Sequence, residues 1–106
     1  MLVVISCLIP LQSIAAIEYC DNVKLETVVV EGPRDDNFYF QNKLLLKLDQ
    51  ECFGMDYVYA GLKHPALNGF IAIALAAKAA DKPVRIAINT NTTTALSHQI
   101  AFIELQ

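Results

Sequence analysis

Residues 65–88, PALNGFIAIALAAKAADKPVRIAI, decide the fold that this chain is expected to adopt. Pro65 suits the first position of a helix, because the N–H that it lacks would have no helical partner there. Pro83 ends the helix because it disfavours the α conformation at the residue before it. The alternating residues 84–88 predict a strand directly afterwards. Apolar residues of the helix recur at the spacing of one face: Leu67, Phe70, Ile71, Ala74 and Leu75.

Strand patterns flank this helix on both sides. Residues 38–48 show the clearest alternation, with an apolar face formed by Phe38, Phe40, Leu44, Leu46 and Leu48. Asn42 falls on that face, which predicts either a buried hydrogen-bond partner or a bulge. The turn residues 32–37 predict a hairpin between the first two strands. Three other segments predict strands: residues 23–30, 56–62 and 98–105.

The expected fold is α+β and mainly β. Three strands, a helix and two strands follow one another, which is the order of the five-stranded OB-fold barrel with its helix between strands three and four. A small sandwich, or an open meander capped by the helix, is the alternative. At 106 residues the chain has room for one such domain.

The N-terminal residues resemble a secretory signal peptide. Residues 1–17 carry no charge, end in small residues, and are too short and interrupted for a membrane span. We predict a signal peptide at residues 1–16, a single OB-fold-like domain at residues 17–106, and a secreted or periplasmic location. The positively charged start is missing, so the signal is atypical or begins upstream of Met1. The alternative is an apolar first strand or helix of the domain.

Two cysteines remain after the predicted signal peptide, Cys20 and Cys52. In an exported chain they most simply form one disulfide bond. No second pair of ligands stands near either cysteine in the sequence, so no metal site is predicted. The net charge of −3 comes without the basic stripe of a nucleic-acid-binding protein, and no nucleic-acid partner is expected.

The sequence contains no recognisable catalytic constellation. His64 and His98 stand outside any motif, and the pair Asp35 and Asp36 suits a solvated turn. Ser97 lacks the flanking glycines of a nucleophile elbow. The chain is therefore expected not to be an enzyme and to use no cofactor.

A binding surface has more support in the sequence. Aromatic rings beside amide and charged groups suit sugar recognition, because a ring covers the apolar face of a sugar while polar groups bond its hydroxyls. OB-folds bind oligosaccharides or oligonucleotides on the face of strands two and three. Packing of the tyrosines against another subunit is the alternative. The candidate ligand-binding residues are Tyr39, Gln41, Lys43, Asp56, Tyr57 and Tyr59.

The predicted helix is rich in alanine on nearly every side, and only Lys78 is charged between residues 65 and 80. A surface helix of a monomer normally carries a polar face. The last predicted strand is also apolar on both faces. Both features predict a homo-oligomer, with a helix sunk into its own domain as the alternative.

The chain resembles the B subunits of A–B-type bacterial toxins, of the subtilase-cytotoxin and typhoid-toxin type. The resemblance is strongest over residues 73–88, where AAKAADKPVRI at residues 76–86 is similar to their helix-to-strand joint. It is looser over residues 37–43, and elsewhere it is one of architecture. The same joint also resembles that of small exported bacterial proteins of unassigned function.

The resemblance implies a pentameric ring of OB-folds with the helices around a central pore, and glycans of host cells as ligands. It also implies an exported catalytic subunit as a partner. The chain has no tryptophan, and the resemblance matches none of its residues to a sugar-binding position. The expected function is that of an exported, non-catalytic, glycan-binding module. The alternative is a periplasmic structural or accessory protein that contacts other envelope proteins.

Overall fold

A computed structural model of the chain describes residues 16–92 and 97–106. Its elements, in chain order, are β1 Ile17–Val23, β2 Leu25–Glu31, β3 Lys43–Cys52, β4 Met55–Gly61, α1 Leu67–Ala80, β5 Val84–Asn89, a 3₁₀ turn Thr90–Thr92 and β6 His98–Leu105. The predicted signal peptide lies outside the described residues, except for Ala16.

The six strands of the described residues form one sheet, in the order β1-β5-β6-β4-β3-β2. Neighbouring strands are antiparallel, except that β4 and β6 run parallel. β2, β3 and β4 follow one another as a meander, and α1 then leads from β4 to β5. The predicted α+β, mainly β architecture is confirmed, and so is the predicted hairpin, which is formed by β2 and β3.

The sheet of the described residues differs from the predicted five-stranded barrel. The predicted first strand, residues 23–30, is divided at Lys24 between β1 and β2, so the sheet has six strands. β1 and β2 lie at its opposite edges, and the sheet is open in its hydrogen bonding. Asn22 is left-handed, with φ 58°, and the register shifts between Cys20 and Val23, so the chain bends just before Lys24.

β3 begins at Lys43, five residues later than the alternation predicts. Asn42 has φ 58°, the left-handed conformation that asparagine tolerates and a regular strand does not contain. Its N–H donates to the carbonyl of Gly32 at 3.2 Å. Residues 32–42 are therefore a closed loop, called the β2–β3 loop below.

The β2–β3 loop folds over the outer face of the sheet, meaning the face opposite the main core. Phe40 is buried there against Leu45 and Tyr59. The prediction that Phe38 and Phe40 share the core face of Leu44 is wrong, because the loop carries both rings to the other side of β3.

The main core lies between the inner face of the sheet and α1. The helix contributes Phe70, Ala74 and Ala77, which are buried at the spacing of one helical face. Leu75, predicted on that face, is 53% exposed, because the contact runs through Ala74 and Ala77 and turns Leu75 away from the sheet. The largest fully buried aliphatic side chains come from the strands: Leu44, Leu46, Leu48, Ile86, Ile88, Ile100, Val23, Val58 and Val84.

α1 begins at Leu67, two residues after the predicted start at Pro65. His64 holds the turn before it, since its Nδ1 accepts the N–H of Ala66 at 3.0 Å and its carbonyl accepts that of Leu67 at 3.1 Å. Asp81, with φ 54°, ends the helix in the left-handed conformation. Within the described residues no helix has the length and apolar character needed to cross a membrane.

The predicted disulfide bond between Cys20 and Cys52 is present, with the two Cα atoms 5.9 Å apart. Cys20 lies on β1, at one edge of the sheet, and Cys52 ends β3, which is next to the other edge. The bond therefore joins two strands that stand far apart in the order of the sheet, and the curl of the sheet brings them together.

Replacing both Cys20 and Cys52 by alanine should lower the free energy of unfolding by about 4 kcal/mol, because the bond joins residues separated by 32 positions. Chemical denaturation followed by circular dichroism would measure the change. Wild-type protein treated with a reductant is the matched control and should lose similar stability. Equal denaturation midpoints for the oxidised wild type and the double variant would contradict the prediction.

Candidate functional site

A groove of about 420 Å³ lies on the outer face of β2, β3 and β4, and we call it the outer groove. Val29 and Leu45 form its apolar floor, and Phe38 and Phe40 reach it from the β2–β3 loop. Its polar lining comes from Glu31, Asp56, Tyr57 and Ser97. The groove therefore combines aromatic rings, aliphatic surface and carboxylates in one concave place.

A second, smaller hydrophobic core supports the groove from below. Phe40 packs on Tyr59 with ring centroids 5.6 Å apart, and on the ring of Phe38 at 6.2 Å. Leu45 and Val29 complete this cluster. Because Phe40 is only 4% exposed, its burial provides much of the free energy that holds the β2–β3 loop in place.

An ion cluster fixes the loop above this core. The guanidinium of Arg34 bonds Glu31 at 3.2 Å and Asp36 at 2.7 Å, and it lies 4.4 Å from the ring centroid of Phe38. The bond from Arg34 lowers the pKa of Asp36, and the two carboxylates raise the pKa of Arg34. The backbone of Arg34 is also held, because its N–H donates to the side-chain oxygen of Gln41 at 2.7 Å.

A similar cluster lies on the strands at the other side of the groove. The Nζ of Lys47 bonds Glu26 at 2.9 Å and Asp56 at 3.3 Å. The same atom lies 5.9 Å from the ring centroid of Tyr57. Hydrogen bonds to Glu26 and then to Asp56 raise the pKa of Lys47. Lys47 thus holds the carboxylate of Asp56, which lines the groove beside Tyr57.

The structure brings Asp56 and Tyr57, of the predicted binding residues, together in the outer groove. Tyr59 lies beneath the groove and is only 9% exposed, so its ring serves the second core. Tyr39 is 67% exposed on the β2–β3 loop, and its ring meets that of Phe40 edge-on at 4.9 Å.

The other two predicted binding residues, Gln41 and Lys43, make contacts within the loop and the sheet. Gln41 uses its side-chain oxygen to hold the loop backbone at Arg34. Lys43 opens β3 and pairs in register with Glu31 and with Gly61. Neither residue lines the outer groove.

Sequence reasoning missed the apolar half of the groove. It placed Phe38 and Phe40 in the main core, and it gave Val29 and Leu45 no role in binding. The available signal was Asn42, whose polar side chain interrupts the alternation at the point where the loop ends and β3 begins. A register break there would have moved both phenylalanines to the outer face.

The remaining candidates for chemistry have other contacts. His64 holds the start of α1, and Nε2 of His98 lies 3.0 Å from the carbonyl oxygen of Phe53. Asp35 is exposed in the β2–β3 loop. Among residues 16–92 and 97–106, no group of three or more His, Cys, Asp or Glu side chains is placed to hold a metal ion.

A second aromatic surface lies on the outer face of β1, β5 and β6. Tyr19 and Phe102 meet there with ring centroids 5.8 Å apart. The guanidinium of Arg85 lies 4.5 Å from the Tyr19 ring centroid and pairs with Asp21 at 3.0 Å and Glu104 at 3.7 Å. This surface has the same kinds of groups as the outer groove and offers matched control residues.

Comparisons of the chain with protein-family models, with curated proteins and with solved structures found no match. The resemblance to toxin B subunits therefore stays a prediction.

Burial raises the pKa of the Tyr59 hydroxyl, and the neighbouring Tyr39 adds a smaller effect in the same direction. The folded chain therefore keeps this proton at a pH where the unfolded chain, with an ordinary tyrosine pKa of about 10, loses it. Stability should be fully present below about pH 10 and should fall as the pH rises through the raised pKa of Tyr59.

Denaturation midpoints measured at a series of alkaline pH values would test this. The variant Tyr59→Phe should show a weaker fall in stability than the wild type. Tyr19→Phe is the matched control, because it removes a tyrosine that is 48% exposed on the other aromatic surface. An equal weakening in both variants would contradict the assignment to Tyr59.

Proposed function

We propose that this chain is a non-catalytic saccharide-binding module and that the outer groove is its binding site. The observation that carries the proposal is the groove itself, where aromatic rings and aliphatic side chains adjoin two carboxylates. Concave sites with an apolar lining and a few oriented polar groups are the usual form of small-molecule sites in proteins.

The groove offers both kinds of contact that a sugar needs. The rings of Phe38 and Tyr57 provide flat apolar surface for the C–H face of a pyranose. The carboxylates of Glu31 and Asp56 accept hydrogen bonds from hydroxyl groups. Arg34 and Lys47 hold these carboxylates in place beforehand, so less conformational entropy is lost when a ligand binds.

The path of the chain supports an OB-fold-like assignment. β1 and β2 are separated only by Lys24, and together they correspond to one bent first strand in a five-stranded count. The outer face of β2, β3 and β4 is then the face on which OB-folds bind oligosaccharides. The β2–β3 loop and Ser97, directly before β6, border this face, where the ligand-binding loops of that fold also lie.

Export of the protein is part of the proposal. The Cys20–Cys52 bond supports it, because disulfide bonds persist in oxidising compartments such as the periplasm and the cell exterior. A small domain also gains from such a bond, since its core alone provides limited stability. A secreted or periplasmic glycan-binding module fits both points.

Self-assembly is a second candidate role, and the outward face of α1 favours it. Exposed residues of this helix are alanine, glycine and Leu75, apart from Asn68 and Lys78. A contiguous apolar surface is a common mark of an interaction site. We propose a second copy of this chain as the partner, in a ring that is pentameric if the toxin resemblance holds. A separate envelope protein or an exported catalytic subunit is the alternative partner.

Saccharide binding is tested by screening the oxidised protein on a glycan array and measuring the best ligand by calorimetry. Tyr57→Ala and Phe38→Ala should each weaken binding roughly tenfold, since each removes one stacking ring. Tyr19→Ala is the matched control and should bind as the wild type does. The absence of array binding, or equal losses in all three variants, would contradict the proposal.

Self-assembly is tested by light scattering at increasing protein concentration. Leu75→Gln should reduce the measured mass to that of a monomer while the circular dichroism spectrum stays that of the folded chain, because Leu75 is 53% exposed and outside the core. Leu105→Gln is the matched control, since Leu105 is 45% exposed on β6. A monomeric wild type at all concentrations would rule out the ring.

A further inference from the structure

The ion clusters beside the outer groove contain more carboxylates than cations. Arg34 lies near the ring of Phe38 and Lys47 near the ring of Tyr57, two of the aromatic rings that line the groove. Each of these cations contacts two carboxylates at salt-bridge distance, Arg34 on the loop side and Lys47 on the strand side. The two ion clusters together therefore hold four carboxylates and two cations, and Glu31 and Asp56 bring part of this excess negative charge to the lining of the groove.

We infer that the outer groove discriminates by charge, favouring amino sugars and uncharged sugars and rejecting acidic ones such as uronic acids. This inference rests on the proposed saccharide binding and names the class of sugar. The inference follows from the carboxylates that already pair with Arg34 and Lys47.

An acidic sugar meets competition for both cations. Its carboxylate would have to approach Arg34 against Glu31 and Asp36, or Lys47 against Glu26 and Asp56. The shortest of these contacts are 2.7 Å and 2.9 Å, which are distances of charge-assisted hydrogen bonds. The carboxylates already bonded to each cation would stay in place and repel the ligand.

An amino sugar would be attracted by the carboxylates that repel an acidic sugar. Glu31 and Asp56 line the groove, and each carboxylate has further acceptor positions after bonding its cation. The rings of Phe38 and Tyr57 also attract cations through their negative faces. An ammonium group on the sugar would therefore gain from the excess negative charge without displacing Arg34 or Lys47.

These charges persist over a wide range of pH. The bond from Arg34 holds the pKa of Asp36 below its ordinary value. Hydrogen bonds to Glu26 and Asp56 hold the pKa of Lys47 above its ordinary value. Neutral pH lies between these limits, so Asp36 and Lys47 keep their charges in the conditions of a binding experiment.

The inference is tested by NMR titration of the oxidised full chain with methyl β-glycosides. Each of glucose, galactose and mannose is compared with its 2-amino-2-deoxy analogue and with its uronic acid, so that each charged sugar differs from its neutral parent by one group. The amino sugar should bind roughly fivefold or more tightly than the uronic acid, the scale of one charge contact at an exposed site. Added salt should narrow this difference, because it screens charges.

Two variants locate the discrimination. Asp56→Asn removes one negative charge beside Lys47 and should reduce the preference several-fold. Asp21→Asn is the matched control, since Asp21 bonds Arg85 on the other aromatic surface, and it should leave the preference unchanged. Equal changes in the two variants would show that overall charge alone decides, which overturns the inference.

The remaining outcomes separate the two claims. A uronic acid that binds as tightly as the amino sugar overturns the charge inference and leaves saccharide binding intact. Sugars that shift no resonance of groove residues, in any of the three sets, overturn both the saccharide-binding proposal and the inference built on it.

Discussion

The bend of the chain at Lys24 is the constraint on which the rest of the structure depends. Lys24 donates its N–H to the carboxylate of Asp49 at 3.1 Å and accepts the N–H of Asp49 at 2.9 Å, so β3 holds the bend from both sides. β1 then reaches β5 while β2 pairs with β3, and the sheet curls because its two edge strands are consecutive in the chain. The curl leaves an inner face for α1 and an outer face on which the β2–β3 loop builds a groove.

The outer face follows one pattern in three places. A cation lies near an aromatic ring and is paired with two carboxylates: Arg34 near Phe38, Lys47 near Tyr57, and Arg85 near Tyr19. In each place the cation pairs with carboxylates from an adjacent strand or from the loop next to it. These ion pairs therefore also join neighbouring segments of the chain. Two of the three places are beside the groove, where a folded loop adds depth to a surface that would otherwise be flat.

Local rules predicted a large part of the fold. The α1–β5 joint, the hairpin, β4 and β6 all follow from periodicity and from proline positions, because neighbouring residues decide them. β1 was missed because its apolar residues Ile17 and Tyr19 lie on the exposed side of the strand and Glu18 on the other, so its sequence shows no apolar core face. Of the candidate site, Asp56 and Tyr57 were found from their strand pattern, whereas Phe38 and Phe40 were assigned to the wrong face.

The sequence by itself determined the mainly β architecture, the position of the helix and the pairing of Cys20 with Cys52. Each of these depends on residue type, on short-range spacing, or on there being a single cysteine partner left after the predicted signal peptide. Only the tertiary structure decided that the outer face carries a groove and that Tyr59 lies beneath it. The reason is that both depend on where a loop packs, and the free energy of that packing comes from side chains that distant strands bring together.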